Sequence, residues 1–253
     1  MLDCIRSLYL LVMGLALITV GSFHGLHESW ASSETEPKVI FLSGAAFWEG
    51  TAAKGQVPAR VGDSLTPGTR LKTAKRTVAL VQVPARALLK VKPESELGVE
   101  RDERGWQVEL LRGGLMAQVD KQPPREQFRV RTRTAVMGVR GTQFYASWNN
   151  DQPRSRKKAG VDSPLWACVR EGEIEVKSVR GTHASDPKEG SSTVIVRAGE
   201  GIQIPARGSL PAPRPFEWTR ELNWNMDPQG GKLDLNDQAS LTYGASPVEV
   251  FYD

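Results

Sequence analysis

Cysteine and histidine are scarce in these 253 residues, two and three respectively, and the scarcity excludes much chemistry. Cys4 lies near the start, in a leader-like stretch, so Cys168 is the one cysteine left for the body of the chain and no intramolecular disulfide can form there. His183, the one histidine outside that stretch, cannot complete a tetrahedral zinc shell with Cys168. It stands in a loop rich in small polar residues, with no nucleophile elbow beside it, and reads as solvated. Neither a catalytic set, a cofactor nor a metal site is expected. Long hydrophobic runs are also missing. The longest, residues 8–20, is thirteen residues and too short to cross a bilayer comfortably. Nor does one charge sign dominate: 33 Lys and Arg stand against 29 Asp and Glu. That balance is far from a nucleic-acid specialist, and no nucleic-acid partner is expected.

The apolar run makes sense as part of an export signal. Arg6 precedes it, and Ser29-Trp30-Ala31 offers small residues at the two positions a signal peptidase reads. Residues 1–31 are therefore expected to be a signal peptide, which places the chain in the periplasm or outside the cell. Retained instead of cleaved, the same segment would anchor the protein in a membrane. Cys4 lies ahead of the run, where a lipidated cysteine would follow it.

What remains is rich in turns and short strands. Glycine and proline number 24 and 16, which disfavours long helices. Strand patterns follow one another: residues 39–42, 77–83, 87–91 and 96–99, then Trp106, Val108 and Leu110 at alternate positions. Glu94 and Glu96 also alternate, as on a solvated strand face. Three short passages share the pattern apolar, Arg, any residue, Gly: Leu111-Arg112-Gly113-Gly114, Val169-Arg170-Glu171-Gly172 and Val196-Arg197-Ala198-Gly199. Each precedes an alternating strand. A recurring strand-turn-strand unit predicts an all-β fold, a solenoid-like stack of short strands in which each coil buries its apolar face on the next. A β-sandwich with regular turns is the alternative. Residues 149–164 and 182–192 read as polar loops.

The domain is expected over residues 38–207, followed by a proline-rich linker and docking tail, 208–253. Pro211, Pro213 and Pro215 stiffen the linker. Trp218, Leu222 and Trp224 make the tail aromatic-rich and imply that it docks on something. Asp234, Asn236 and Gln238 alternate like the start of a calcium loop, but Ala239 and Ala245 stand where that loop needs glycine and glutamate, so a polar loop is expected.

Residues 128–148 concentrate the signal. Phe128, Val130 and Thr132 face one way and Arg129, Arg131 and Arg133 the other. Phe144, Ala146 and Trp148 then alternate with Gln143, Tyr145 and Ser147. Between the two strands Val139-Arg140-Gly141-Thr142 forms a corner at which glycine permits positive φ or a close backbone approach.

Together with Val61-Gly62-Asp63-Ser64-Leu65, Pro67-Gly68-Thr69 and Arg197-Ala198-Gly199-Glu200, these passages resemble the FecR domain, the extracytoplasmic domain of bacterial iron-dicitrate regulators. The likeness covers roughly residues 39–205. It implies an all-β, solenoid-like domain whose Val139, Arg140, Gly141, Thr142 and Phe144 are a structural corner. Seven residues before the apolar run leave no room for the sigma-binding segment of the full regulators, and the tail shows no match to their terminal subdomain. The resemblance therefore implies a free-standing, non-enzymatic binding, signalling or scaffolding module of the cell envelope. A secreted enzyme acting on polysaccharide and an adhesive or structural module are the alternatives.

Three like charges on one strand face repel unless something anionic lies opposite. Ion pairs with neighbouring strands, for example with Glu109 or Glu173, would answer this. The sharper expectation is a contact stripe of Arg129, Arg131 and Arg133, extended by Lys157 and Lys158, for an envelope protein or an anionic envelope polymer.

Overall fold

The computed structural model describes residues 36–50, 55–84, 86–121, 126–148, 164–179, 193–206, 208–216, 218–231 and 233. The chain divides into two compact units, Met1–Glu34 and Thr35–Asp253, and every described residue lies in the second. The expected leader, the loops holding Lys157, Lys158 and His183, the alternating Asp234, Asn236 and Gln238, and the end of the tail lie outside the described residues. Among the described residues no helix is long and apolar enough to cross a membrane.

The described residues of the second unit are nearly all β. Its strands are β1 (Lys38–Ser43), β2 (Ala46–Gly50), β3 (Val57–Pro58), β4 (Thr69–Thr73), β5 (Val78–Val83), β6 (Ala87–Val91), β7 (Glu96–Asp102) and β8 (Gly105–Val119). They continue with β9 (Gln127–Arg131), β10 (Ala135–Val139), β11 (Thr142–Trp148), β12 (Leu165–Glu171), β13 (Glu173–Ser178), β14 (Thr193–Arg197), β15 (Glu200–Ile204) and β16 (Arg214–Pro215). One helical turn, α1 (Trp218–Glu221), follows.

Hydrogen bonding connects all these strands, but it falls into two ladders joined by β8. Ladder 1 runs β1-β5-β6-β8-β11-β12-β15-β16. Ladder 2 runs β3-β2-β4-β7-β8-β9-β10-β13-β14. The first half of β8 pairs with β7 and β9, and the second half with β6 and β11. Among the described pairs only β8 with β9 is parallel, whereas stacked coils of a regular solenoid would pair in parallel throughout. The apolar faces of both ladders meet in one core, with Leu71, Leu97, Val108, Phe128 and Met137 from ladder 2 against Val81, Leu89, Leu115, Phe144 and Val169 from ladder 1.

The repeated glycine pattern marks the passages between ladders. Wherever the chain crosses entirely through described residues, a residue of positive φ makes the bend: Gly44, Arg76, Glu94, Gly113, Gly141, Gly172 or Gly199. Glu94 thus sits in a corner and not on a strand face.

Two local expectations change. Residues 112–114, expected to turn between two strands, instead lie inside β8, which continues through the bend at Gly113 as one strand and exchanges its ladder partners there. Residues 135–139, of which only Val139 was expected in the corner, form a strand of their own between β9 and β13. Thr132 closes the tight connection before β10, accepting from the Ala135 amide at 3.1 Å, a bond a sequence period does not reveal.

Strand composition follows coverage. Ladder 2 strands such as β9 and β13 alternate between buried and accessible positions, as expected when one face meets the core and the other does not. In ladder 1, β5 and β12 are buried almost throughout, because their outer face is covered as well. The cover is the chain's own tail. Phe216, Trp224 and Met226 pack with Met116, Trp166 and Cys168, and Leu233 packs on Val78 and Leu80. Phe216, Trp224, Met226 and Leu233 thus pack on the outer face of ladder 1 of the same chain. Full burial of such side chains contributes about 1.5–3 kcal/mol each.

Candidate functional site

Three groups of residues could carry function: the corner after β10, the open face of ladder 2 and the covered face of ladder 1.

At the corner, Val139, Thr142 and Phe144 are buried while Arg140 is exposed. Gly141 has φ +65°, and a methyl group there would lie 2.6 Å from Lys121 Cγ. The next corner leans on it: a methyl group on Gly172, φ +79°, would collide with the Gly141 carbonyl oxygen. The Thr142 hydroxyl bonds the backbone of Glu173 at 2.8 Å, immediately after Gly172. The same device recurs. Thr77 Oγ1 accepts from the Ala45 amide at 3.0 Å, after Gly44, and Ser95 Oγ accepts from the Gly114 amide at 2.9 Å, after Gly113. Each hydroxyl satisfies a backbone group that the bend takes out of its ladder.

The open face of ladder 2 holds the β9 arginines. Arg129 and Arg131 are cross-strand neighbours of Gln107 and Glu109. Arg129 pairs with Asp102 at 2.5 Å, which holds the Asp102 carboxyl below its ordinary range. This is an ion pair with a neighbouring strand, though with neither Glu109 nor Glu173, the examples named above. Asp102 was not legible because the β7–β8 hairpin brings it opposite Gly105, which in turn stands opposite Gln127, two residues before Arg129. Arg133 lies past the end of β9, its guanidinium 5.9 Å from the Trp148 ring centroid. The structure therefore gives the three arginines different surroundings, and Lys157 and Lys158 lie outside the described residues.

Carboxylates and cations interleave across the rest of this face. Lys72 bridges Glu49 and Glu96, which raises the Lys72 pKa chiefly through its bond to Glu49. Arg70 joins Glu96 at 3.4 Å, and Lys177 joins Glu175 at 2.9 Å. Exposed pairs of this kind add little stability. Their consequence is a face of mixed sign.

The covered face of ladder 1 contains residues that sequence reasoning did not single out. Lys90 is fully buried, and its Nζ donates to the carbonyl oxygens of Asn223 at 2.6 Å and Asn225 at 2.7 Å. Gln143 Nε2 donates to the Trp224 carbonyl between them at 3.0 Å. Trp224 bonds the Thr219 carbonyl at 2.8 Å through its indole nitrogen and lies under Arg170, 5.9 Å from the guanidinium. Phe216 meets Trp166 edge to face at 5.7 Å. Cys168 lies beneath this layer, where burial pushes its thiol up to about 12. The available signal was Lys90 itself, the single charge in the otherwise apolar β6 sequence ALLKV.

An all-β module with one open, mixed-charge face and one face covered in cis is what these arrangements define. Residues 69–175, from β4 into β13, match the family described as FecR protein. The chain is also similar to two crystal structures of a candidate anti-sigma factor from Parabacteroides distasonis ATCC 8503, at 18% sequence identity with TM-scores of 0.44 and 0.43. In both comparisons 58% of this chain aligns with 59% of that one, so it spans about three-fifths of the matched protein's length. No curated protein sequence matches.

Proposed function

We propose that this chain is an exported, non-enzymatic FecR-domain protein that works in the bacterial envelope by binding another protein, as a signalling or scaffolding module. The observation that carries this reading is the FecR match over residues 69–175, which supports a regulatory role and an extracytoplasmic location. The leader-like residues 1–31 support export. The interleaved Glu49, Lys72, Glu96, Arg129 and Asp102 favour a protein surface of mixed charge over a uniformly anionic polymer, because like charges on a polyanion would meet repulsion at every second contact.

The test is twofold. Fractionation of cells producing the chain, with N-terminal sequencing of the mature product, should give envelope or secreted material beginning near residue 32; cytoplasmic protein with an intact leader would end the export reading. Photo-crosslinking from Glu109 or Arg131 in intact cells should yield one discrete protein adduct. Adducts to glycan alone would overturn the choice of partner.

A further inference from the structure

The covered face of ladder 1 is built for recognition more than for simple burial. A sheet face that only needed covering would carry an aliphatic side chain at position 90, as it does at Leu88. Instead Lys90 and Gln143, from two different strands, hold three consecutive main-chain carbonyls, those of Asn223, Trp224 and Asn225. Main-chain recognition of an extended segment with one aromatic anchor is how a peptide site works. The arrangement also tolerates opening. When the segment leaves, the Lys90 ammonium gains water, whereas an isolated buried charge would be costly. The Trp224 indole is satisfied inside the segment itself by Thr219, so that bond survives when the segment leaves, and the freed carbonyls of Asn223, Trp224 and Asn225 pass to water.

We propose that the outer face of ladder 1 around Lys90, Met116, Gln143 and Cys168 is a binding site for a tryptophan-bearing peptide, and that residues 218–226 of the same chain, a helical turn followed by an extended stretch, are its resident, exchangeable occupant. A partner segment of the same chemistry enters by displacing the tail. This deepens the protein-binding reading by naming the surface; were it to fail, the open face of ladder 2 would still be available to a partner.

The experiment uses the full chain carrying Cys4→Ser, so that Cys168 is the only thiol and reports on cover. Trp224→Ala loosens the tail and leaves every site residue in place. Maleimide labelling of Cys168 should accelerate about tenfold or more, with a urea dependence far smaller than that of global unfolding. A fluorescein-labelled peptide of residues 214–233 should then bind the Trp224→Ala chain and slow the labelling again. Adding Lys90→Met should abolish that binding. An accessible thiol without peptide binding, or binding indifferent to Lys90→Met, would overturn the site. Labelling that tracks global unfolding in both chains would overturn it too, by showing the tail to be an inseparable part of the core. Met226→Ala, a milder loosening, is read the same way if Trp224→Ala does not fold.

Discussion

The Thr142 hydroxyl donates to the Glu173 carbonyl at 2.8 Å, and so ties the corner after β10 to the corner after β12. Through this bond, and through the seating of Gly172 against the Gly141 carbonyl, adjacent ladder crossings hold each other in place. Gly172 and Gly199 have nearly the same φ, +79° and +83°, yet nothing lies within 4 Å of a methyl group placed on Gly199. Alanine at Gly199 should therefore cost only the left-handed strain, about 1 kcal/mol. Alanine at Gly172 adds a collision with backbone, about 1–3 kcal/mol more. Urea unfolding of the two variants measures the difference directly, and equal losses would show that the corners are not packed on each other.

At Gly141, valine meets both the positive φ and Lys121, and a loss of about 1–3 kcal/mol is expected. A thermal melt unchanged by Gly141→Val would show an ordinary corner.

Asp63 accepts from the Trp48 indole at 2.9 Å and from the Arg60 amide at 2.8 Å, and these bonds, the first foremost, hold its pKa below the ordinary 3.8. A depressed carboxylate pKa contributes stability that is fully present above the unfolded value and is lost as pH falls through the folded value. Asp63→Asn should accordingly lower the urea midpoint at pH 7, and its deficit relative to the parent should shrink as pH falls below 3.8. A deficit independent of pH would remove the carboxylate's charge from the explanation.

The Cys168 thiol, pushed up to about 12 and enclosed beneath the tail, should be inert to aromatic disulfide reagents at pH 8 and react at once when the protein is unfolded in urea. Rapid native labelling would mean that the tail does not cover it.

Changing Arg129, Arg131 and Arg133 together to Ser should leave retention on an anionic polymer column nearly unchanged. Arg129 is already engaged by Asp102, Arg131 stands opposite Glu109 and Arg133 lies over Trp148. Elution at distinctly lower salt would restore the polymer reading of this face.

Much of the ladder 2 face was legible because its strands are half-buried. In β9, Phe128 and Val130 alternate with Arg129 and Arg131, and burial follows the pattern residue for residue. In β11 the same alternation correctly oriented Phe144 and Ala146 to the core, but Gln143, on the opposite face, is buried too. No period within seven residues announces that a segment eighty positions later will lie on top. The continuous apolar runs of β5 and β12 match their burial on both faces, but nothing in them names the segment that covers the outer one.

The sequence by itself determined the all-β class, the positions of most strands and the glycine corners, because alternation and backbone permissiveness are local properties of a few residues. The tertiary structure alone decided that β8 serves both ladders, that Asp102 meets Arg129, and that the tail folds back so that buried Lys90 holds the carbonyls of Asn223 and Asn225. These are matters of register and docking between distant segments. They are fixed by which apolar faces and backbone groups can be satisfied together, and only the assembled core brings those groups within reach of one another.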